Sequence, residues 1–125
     1  MRKSVYVFFL IILLTGQIYA EIQLLSPETL RLWFDRGERL ILIDLRDRDS
    51  FKSEHIPGAI NIPADEIQSK IGRFRGKKIV LYCWSEGTSR AVAKDFEDYN
   101  IFVLEGGIDG WKQKGYKVSG NGITK

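Results

Sequence analysis

One cysteine and one histidine stand in a chain of 125 residues. A single cysteine excludes an internal disulfide. One Cys and one His do not make a metal-ligand set, so neither a metal nor another cofactor is expected. The apolar run Val5–Leu14 is ten residues, too short to span a bilayer comfortably. No internal repeat, low-complexity tract or linker divides the chain, and its length suits one domain with one core. Charge of one sign is also scarce. The net charge is +3, and Arg2 and Lys3 carry two of those units, leaving 17 bases and 16 acids from residue 21 onward. A domain so nearly balanced offers no electrostatic case for nucleic acid, and "GRFRGKK" reads as a solvated loop.

What is present begins with "MRKSVYVFFLIILLTGQIYA", a short basic start, an apolar run and a polar stretch ending in Ala20. That layout predicts a secretory signal peptide over residues 1–20 and a mature domain over 21–125, periplasmic or secreted. The alternative is an uncleaved anchor, the one arrangement that would involve a membrane. Export places the lone thiol, Cys83, in an oxidising compartment, which favours a chemical role for it over a purely structural one.

In "LLSPETLRLWFDRGERL" Ser26 reads as a helix N-cap, Pro27 as the first helical residue and Gly37 as the stop. Leu30, Trp33 and Phe34 share one helical face. "LILIDL" (residues 40–45), "AINI" before Pro63, "KIVLY" (78–82) and "IFVL" (101–104) are short apolar runs of the kind buried on both faces of a sheet. "ADEIQSKI" and "SRAVAKDFEDYN" read as helices, the second with a stripe of Val92, Phe96 and Tyr99. "IDGWKQKG" adds a short helix bearing Trp111, and the tail "KVSGNGITK" is expected to fray. Strands alternating with helices predict an α/β fold, a parallel sheet with helices on both faces. Ligands of such sheets bind beyond the carboxyl ends of the strands, where Cys83 stands.

A free thiol is only about 3% thiolate at pH 7, so a nucleophilic cysteine needs surroundings that favour the anion. A helix starting near Thr88 or Ser89 supplies free N–H groups and the positive end of its dipole. A tight loop over the sulfur would aim further N–H groups inward as an anion nest. A drop of about 2 pKa units, roughly 2.7 kcal/mol, would make the thiolate dominant. Such a nest also suits a persulfide anion and small sulfur-bearing anions. Gly87 lets the loop bend closely. Ser85, Thr88 and Ser89 offer hydroxyl donors or helix caps; Arg90 is either a grip for an anionic substrate or a solvated helix charge; Trp84 is either a wall of the entrance or a packing aromatic. Glu86 opposes an anion nest unless its side chain turns away.

The segments "LIDLRDRDSFKSEHIPGAINIP", "VLYCWSEGTSRAVA" and "VLEGGIDGWKQKGY", in that order and spacing, resemble the single-domain rhodaneses, the thiosulfate sulfurtransferase family, over about residues 25–118. The resemblance implies a five-stranded parallel sheet flanked by helices and a six-residue active-site loop. It implies sulfur transfer through a Cys83 persulfide, from a donor anion such as thiosulfate to cyanide, a thiol or a sulfur-accepting protein. Trp84 through Thr88 become the loop that holds the sulfur, with Ser89 opening the following helix. Asp44 and Arg46 are expected as a structural pair near the loop, and His55 as a turn residue whose ring binds backbone groups. A monomer is expected. Glu86 stands where the family usually has glycine; if that position needs a positive φ, glutamate is strained there by about 1 kcal/mol or more.

Two other readings stay open on sequence. One is a non-catalytic sulfur carrier or protein-binding module, motivated by Glu86. The other is a cysteine phosphatase or arsenate reductase, whose loops need Arg after five intervening residues. Six residues separate Cys83 from Arg90, and Ser89 holds the required place. An Arg one place late points about 100° away on the helix.

Overall fold

The computed structural model describes residues 21–122. The expected signal peptide, or anchor, lies outside the described residues. Among the described residues no helix is long and apolar enough to cross a membrane. In chain order the elements are β1 (Gln23–Leu25), α1 (Pro27–Asp35), β2 (Ile41–Asp44), α2 (Arg48–Ser53), β3 (Ile60–Asn61), α3 (Ile67–Lys70) continued by a 3-10 turn (Ile71–Phe74), β4 (Lys78–Tyr82), α4 (Gly87–Lys94), β5 (Asn100–Leu104) and α5 (Gly107–Gln113).

The five strands form one sheet in the order β1-β5-β4-β2-β3, and every pairing is parallel. β4 is central, and its residues show why the run "KIVLY" folds so. Ile79 and Leu81 face one side of the sheet with Ile43, Ile101 and Val103, under α3 and α4. Val80 and Tyr82 face the other side with Leu42 and Leu104, under Leu30 of α1 and Ile108 and Trp111 of α5. All four of these β4 residues are fully buried. Each contributes roughly 1.5–3 kcal/mol by leaving water, which outweighs the modest β-propensity differences among apolar residues. A strand apolar at every position is stable only between two helical layers, and this sheet has both.

α1 begins as expected. The Ser26 hydroxyl accepts from the Thr29 N–H at 3.1 Å, Pro27 occupies the first turn, and Leu30, Trp33 and Phe34 all pack into the α1/α5 side of the core. Elsewhere the structure departs from the sequence pattern. β1, three residues long, was not expected from its own residues; it exists because Gln23–Leu25 pair with Phe102–Leu104 at the sheet edge. α4 starts at Gly87, one or two residues early, and stops at Lys94, after which residues 95–98 form turns. Those turns still carry Phe96 and Tyr99 onto the same core face as Val92.

The tail is not frayed through residue 122. Ser119 forms an antiparallel bridge with His55, and the Asn121 and Gly122 N–H groups donate to the Lys52 and Ser53 carbonyls at 2.9 and 2.8 Å. Its polar composition misled, because the end of α2 offers free carbonyls that the tail's backbone satisfies. "GRFRGKK" is likewise more than a solvated loop. Phe74 is buried, Arg75 pairs with Asp98 at 3.0 Å, and Lys78 pairs with Glu38 at 2.7 Å.

Candidate functional site

The carboxyl ends of β2, β4 and β5 open on the same edge, and their loops build the site. Asp44 and Tyr82 end their strands in register. Two residues past Asp44, Arg46 turns back onto it: Nε donates to both carboxylate oxygens at 3.1 and 3.2 Å, and Nη2 donates to Oδ2 at 2.8 Å and to the Glu54 carbonyl at 2.6 Å. Both side chains are fully buried, so this is a structural pair. The Asn61 amide bridges the Asp44 and Arg46 carbonyls at 3.0 and 2.9 Å and fixes the turn. The Arg46 guanidinium also lies 4.4 Å from the centroid of the Trp84 ring. Trp84 therefore leans its inner face on a buried cation while nearly half of its surface (47%) stays in water.

Cys83 follows β4 directly and is half-buried. The backbone beyond it is shaped by α5. The Ile108 N–H donates to the Cys83 carbonyl at 2.9 Å, and the Asp109 N–H to the Trp84 carbonyl at 3.2 Å. Three carbonyl oxygens converge on Gly107: a Cβ there would stand 2.5 Å from those of Cys83 and Ser85 and 2.6 Å from that of Trp84. The described residues contain no cis peptide. In a trans peptide the C=O and the next N–H point in opposite directions. Three carbonyls turned toward α5 thus turn the N–H groups of Trp84, Ser85 and Glu86 away from it. None of these N–H groups has a protein acceptor among the described residues. The first turn of α4 adds its own unpaired N–H groups, since the first bond onto that helix is Arg90 N–H to the Glu86 carbonyl at 2.9 Å. The loop is a row of oriented, unpaired donors beside a thiol, the arrangement of an anion nest.

Glu86 does not strain this loop. Its φ is −105°, and no non-glycine residue among those described has a positive φ. The expected conflict with the nest is also absent, because the carboxylate is turned aside: Oε2 accepts from the Gly106 N–H at 2.9 Å and Oε1 from Arg90 Nη1 at 3.0 Å. The Gly106 N–H, with Arg90 assisting against slight desolvation, holds this carboxyl below the ordinary range.

Arg90 pairs with Glu86 at 3.0 Å on the surface of α4. Ser85 and Thr88 are exposed, and neither caps α4, whose N-cap Glu86 makes no side-chain cap bond. Gly87 opens α4 with free space around its α-carbon. Ser89 is fully buried in the first turn of α4, and its hydroxyl, like Arg46 Nη1, has no hydrogen-bond partner among the described residues. His55 is engaged within its own segment: its Nδ1 is 2.8 Å from the Phe51 carbonyl and its ring stacks on Phe51 at 3.9 Å. Burial, then the nearby Asp44 carboxylate, pushes the Tyr82 phenol above its ordinary range, and its oxygen accepts the Ile56 N–H at 3.1 Å. Gly106, Gly107 and Asn61 were not expected in the site. The doublet "GG" after β5, a strand parallel to β4, was the signal for the first two.

Comparison with known proteins places this geometry. The family model described as the rhodanese-like domain matches residues 26–114. The tRNA sulfurtransferase of Pyrobaculum aerophilum is 35% identical over 65 residues, 51% of this chain and 13% of that protein. The thiosulfate sulfurtransferase GlpE of Coxiella burnetii is 27% identical over 77 residues, 58% of this chain and 72% of that protein. Among solved structures, a rhodanese-related protein from Thermoplasma volcanium superposes with a TM-score of 0.69 at 25% identity, covering 78% of this chain and 97% of that one. The curated relatives that are 33–35% identical are longer proteins, of which the chain spans between 13% and 52%.

Proposed function

The chain belongs to the rhodanese-like domain family, and from that premise we propose that it is a sulfurtransferase that carries sulfur on Cys83. The observation that carries the reading is the convergence of the Cys83, Trp84 and Ser85 carbonyls on Gly107, which leaves the loop's N–H groups free beside the thiol. These oriented donors suit a negatively charged sulfur such as the persulfide anion. Sulfurtransferase names among the relatives support the same chemistry.

With thiosulfate as donor, the Cys83 thiolate attacks the outer, sulfane sulfur. A Cys–S bond to that sulfur forms, its bond to the sulfonate sulfur breaks, and sulfite leaves with the electron pair. Cys83 then holds a persulfide anion, and the total charge is unchanged. Attack of cyanide or a thiolate on the terminal sulfur releases thiocyanate or a new persulfide and restores the thiolate. The Arg46 guanidinium stacked on the Trp84 ring steadies the first residue after Cys83. Removal of Met1–Ala20 on export belongs to the same proposal.

The test is thiocyanate formation from thiosulfate and cyanide at varied concentrations of both. Parallel double-reciprocal lines, the mark of a two-step transfer, are expected; absence of thiocyanate while persulfide forms would assign the chain to sulfur carriage without turnover. The non-catalytic module stays the second reading, since Glu86 still stands where the family usually has glycine, and Ser89 rather than an arginine holds the place a phosphoryl cradle needs.

A further inference from the structure

The loop's first half is tied to α5 through main-chain carbonyls, at Cys83 and Trp84. Its far end has no such main-chain tie, because the Glu86 carbonyl receives the Arg90 N–H and so belongs to α4. The remaining tie is the Glu86 carboxylate. We propose that Glu86 is a positioning residue: its carboxylate, bound to the Gly106 N–H, latches the end of the sulfur-holding loop to the turn before α5. The proposal rests on the sulfur-transfer reading.

Three features of the geometry support it. The consecutive stretch Gly106–Asp109 meets the loop at residues 83, 84 and 86, so one rigid turn sets the orientation of every peptide between them. Gly107 sits against the three carbonyls with no space to spare, so small movements of the turn pass directly to the loop. Arg90 takes the second carboxylate oxygen and sits one helical turn along α4, which holds the side chain facing α5 and away from the free N–H groups. A glycine at this position would leave Gly106 without its acceptor. The carboxylate reaches the turn only at glutamate length; aspartate is one methylene short.

The experiment compares wild type with E86Q, E86A and E86D in two measurements: hydrogen exchange of the Gly106 amide, and kcat for thiocyanate formation. Loss of a charged acceptor predicts Gly106 exchange faster by about tenfold or more in E86A and E86D, with kcat lower by about tenfold. Glutamine keeps an acceptor oxygen at the same reach, so E86Q recovers kcat to within about threefold of wild type and retains most of the protection. Should E86A fold poorly, E86D carries the same expectation with the charge retained. Wild-type kcat and exchange in both E86A and E86D, or an E86Q as impaired as E86A, overturns the latch. A wild type that forms neither persulfide nor thiocyanate instead overturns the sulfur-transfer reading and the positioning role with it, while Gly106 exchange still reports the tie.

Discussion

Replacing Gly107 by alanine is the sharpest mutational test of how the loop gets its shape. The new Cβ would stand 2.5, 2.5 and 2.6 Å from three carbonyl oxygens, where ordinary contact begins near 3.4 Å. Each carbonyl has to retreat by about 0.8–0.9 Å, and all three belong to backbone, which cannot swing aside as a side chain would. Alanine at φ +59° adds about 1–2 kcal/mol of left-handed strain. Loss of the bonds from Ile108 and Asp109 to the loop adds about 1 kcal/mol each, for a total of roughly 3–4 kcal/mol. A domain with an ordinary stability of about 5–15 kcal/mol remains folded at 25 °C, with its midpoint lowered by roughly 12–30 °C. Thiocyanate formation should fall by about a hundredfold or more, far beyond the small unfolded fraction, because the N–H groups no longer converge. Gly115→Ala is the control: its φ is +77°, but a Cβ there meets nothing within 4 Å. It should lose only about 1–2 kcal/mol and keep its turnover. Urea unfolding and the thiocyanate assay on the three proteins decide the matter. A G107A protein with wild-type turnover would refute the derivation of the nest from the carbonyl positions.

Other consequences are as direct. Arg46→Ala leaves the Asp44 carboxylate buried without its partner and should cost about 3–5 kcal/mol in urea unfolding; a cost under about 1 kcal/mol would contradict the buried pair. Arg48, then Lys70, holds the Glu66 carboxyl down to about 2. Its folded value lies below its unfolded one, so its contribution is complete above pH about 4.5 and is lost as the pH falls toward 2. The urea midpoint of wild type should therefore drop more than that of E66Q between pH 5 and pH 3, with the difference shrinking in high salt because Arg48, its main partner, is exposed; equal drops would contradict it. N-terminal sequencing of protein exported by its native host should begin at Glu21, and an intact Met1 in the membrane fraction would favour an anchor instead.

How much of this the sequence revealed depended on the range of the forces involved. Strands such as Lys78–Tyr82 were legible because burial on both faces demands apolar residues, and the α1 cap because Ser26 stands directly before Pro27. β1 and the docked tail were not legible, since both are held by backbone bonds to distant segments and carry no side-chain signature. In the site, Cys83 stood out by its place after a buried strand, and the Asp44–Arg46 pair only through the family resemblance. The orientation of Glu86 depended on Gly106, twenty residues away, so a loop read in isolation left open whether the carboxylate faces the nest or turns aside. The neighbouring order of β4 and β5 is what turns that conflict into a contact.

The most direct test of sulfur carriage on Cys83 is the intact mass of the protein after incubation with thiosulfate and removal of excess donor. Wild type should gain one sulfur, about 32 Da, which a reductant or cyanide removes, and Cys83→Ala should gain nothing. No adduct on wild type with thiosulfate, mercaptopyruvate or polysulfide, or an equal adduct on Cys83→Ala, would contradict the account.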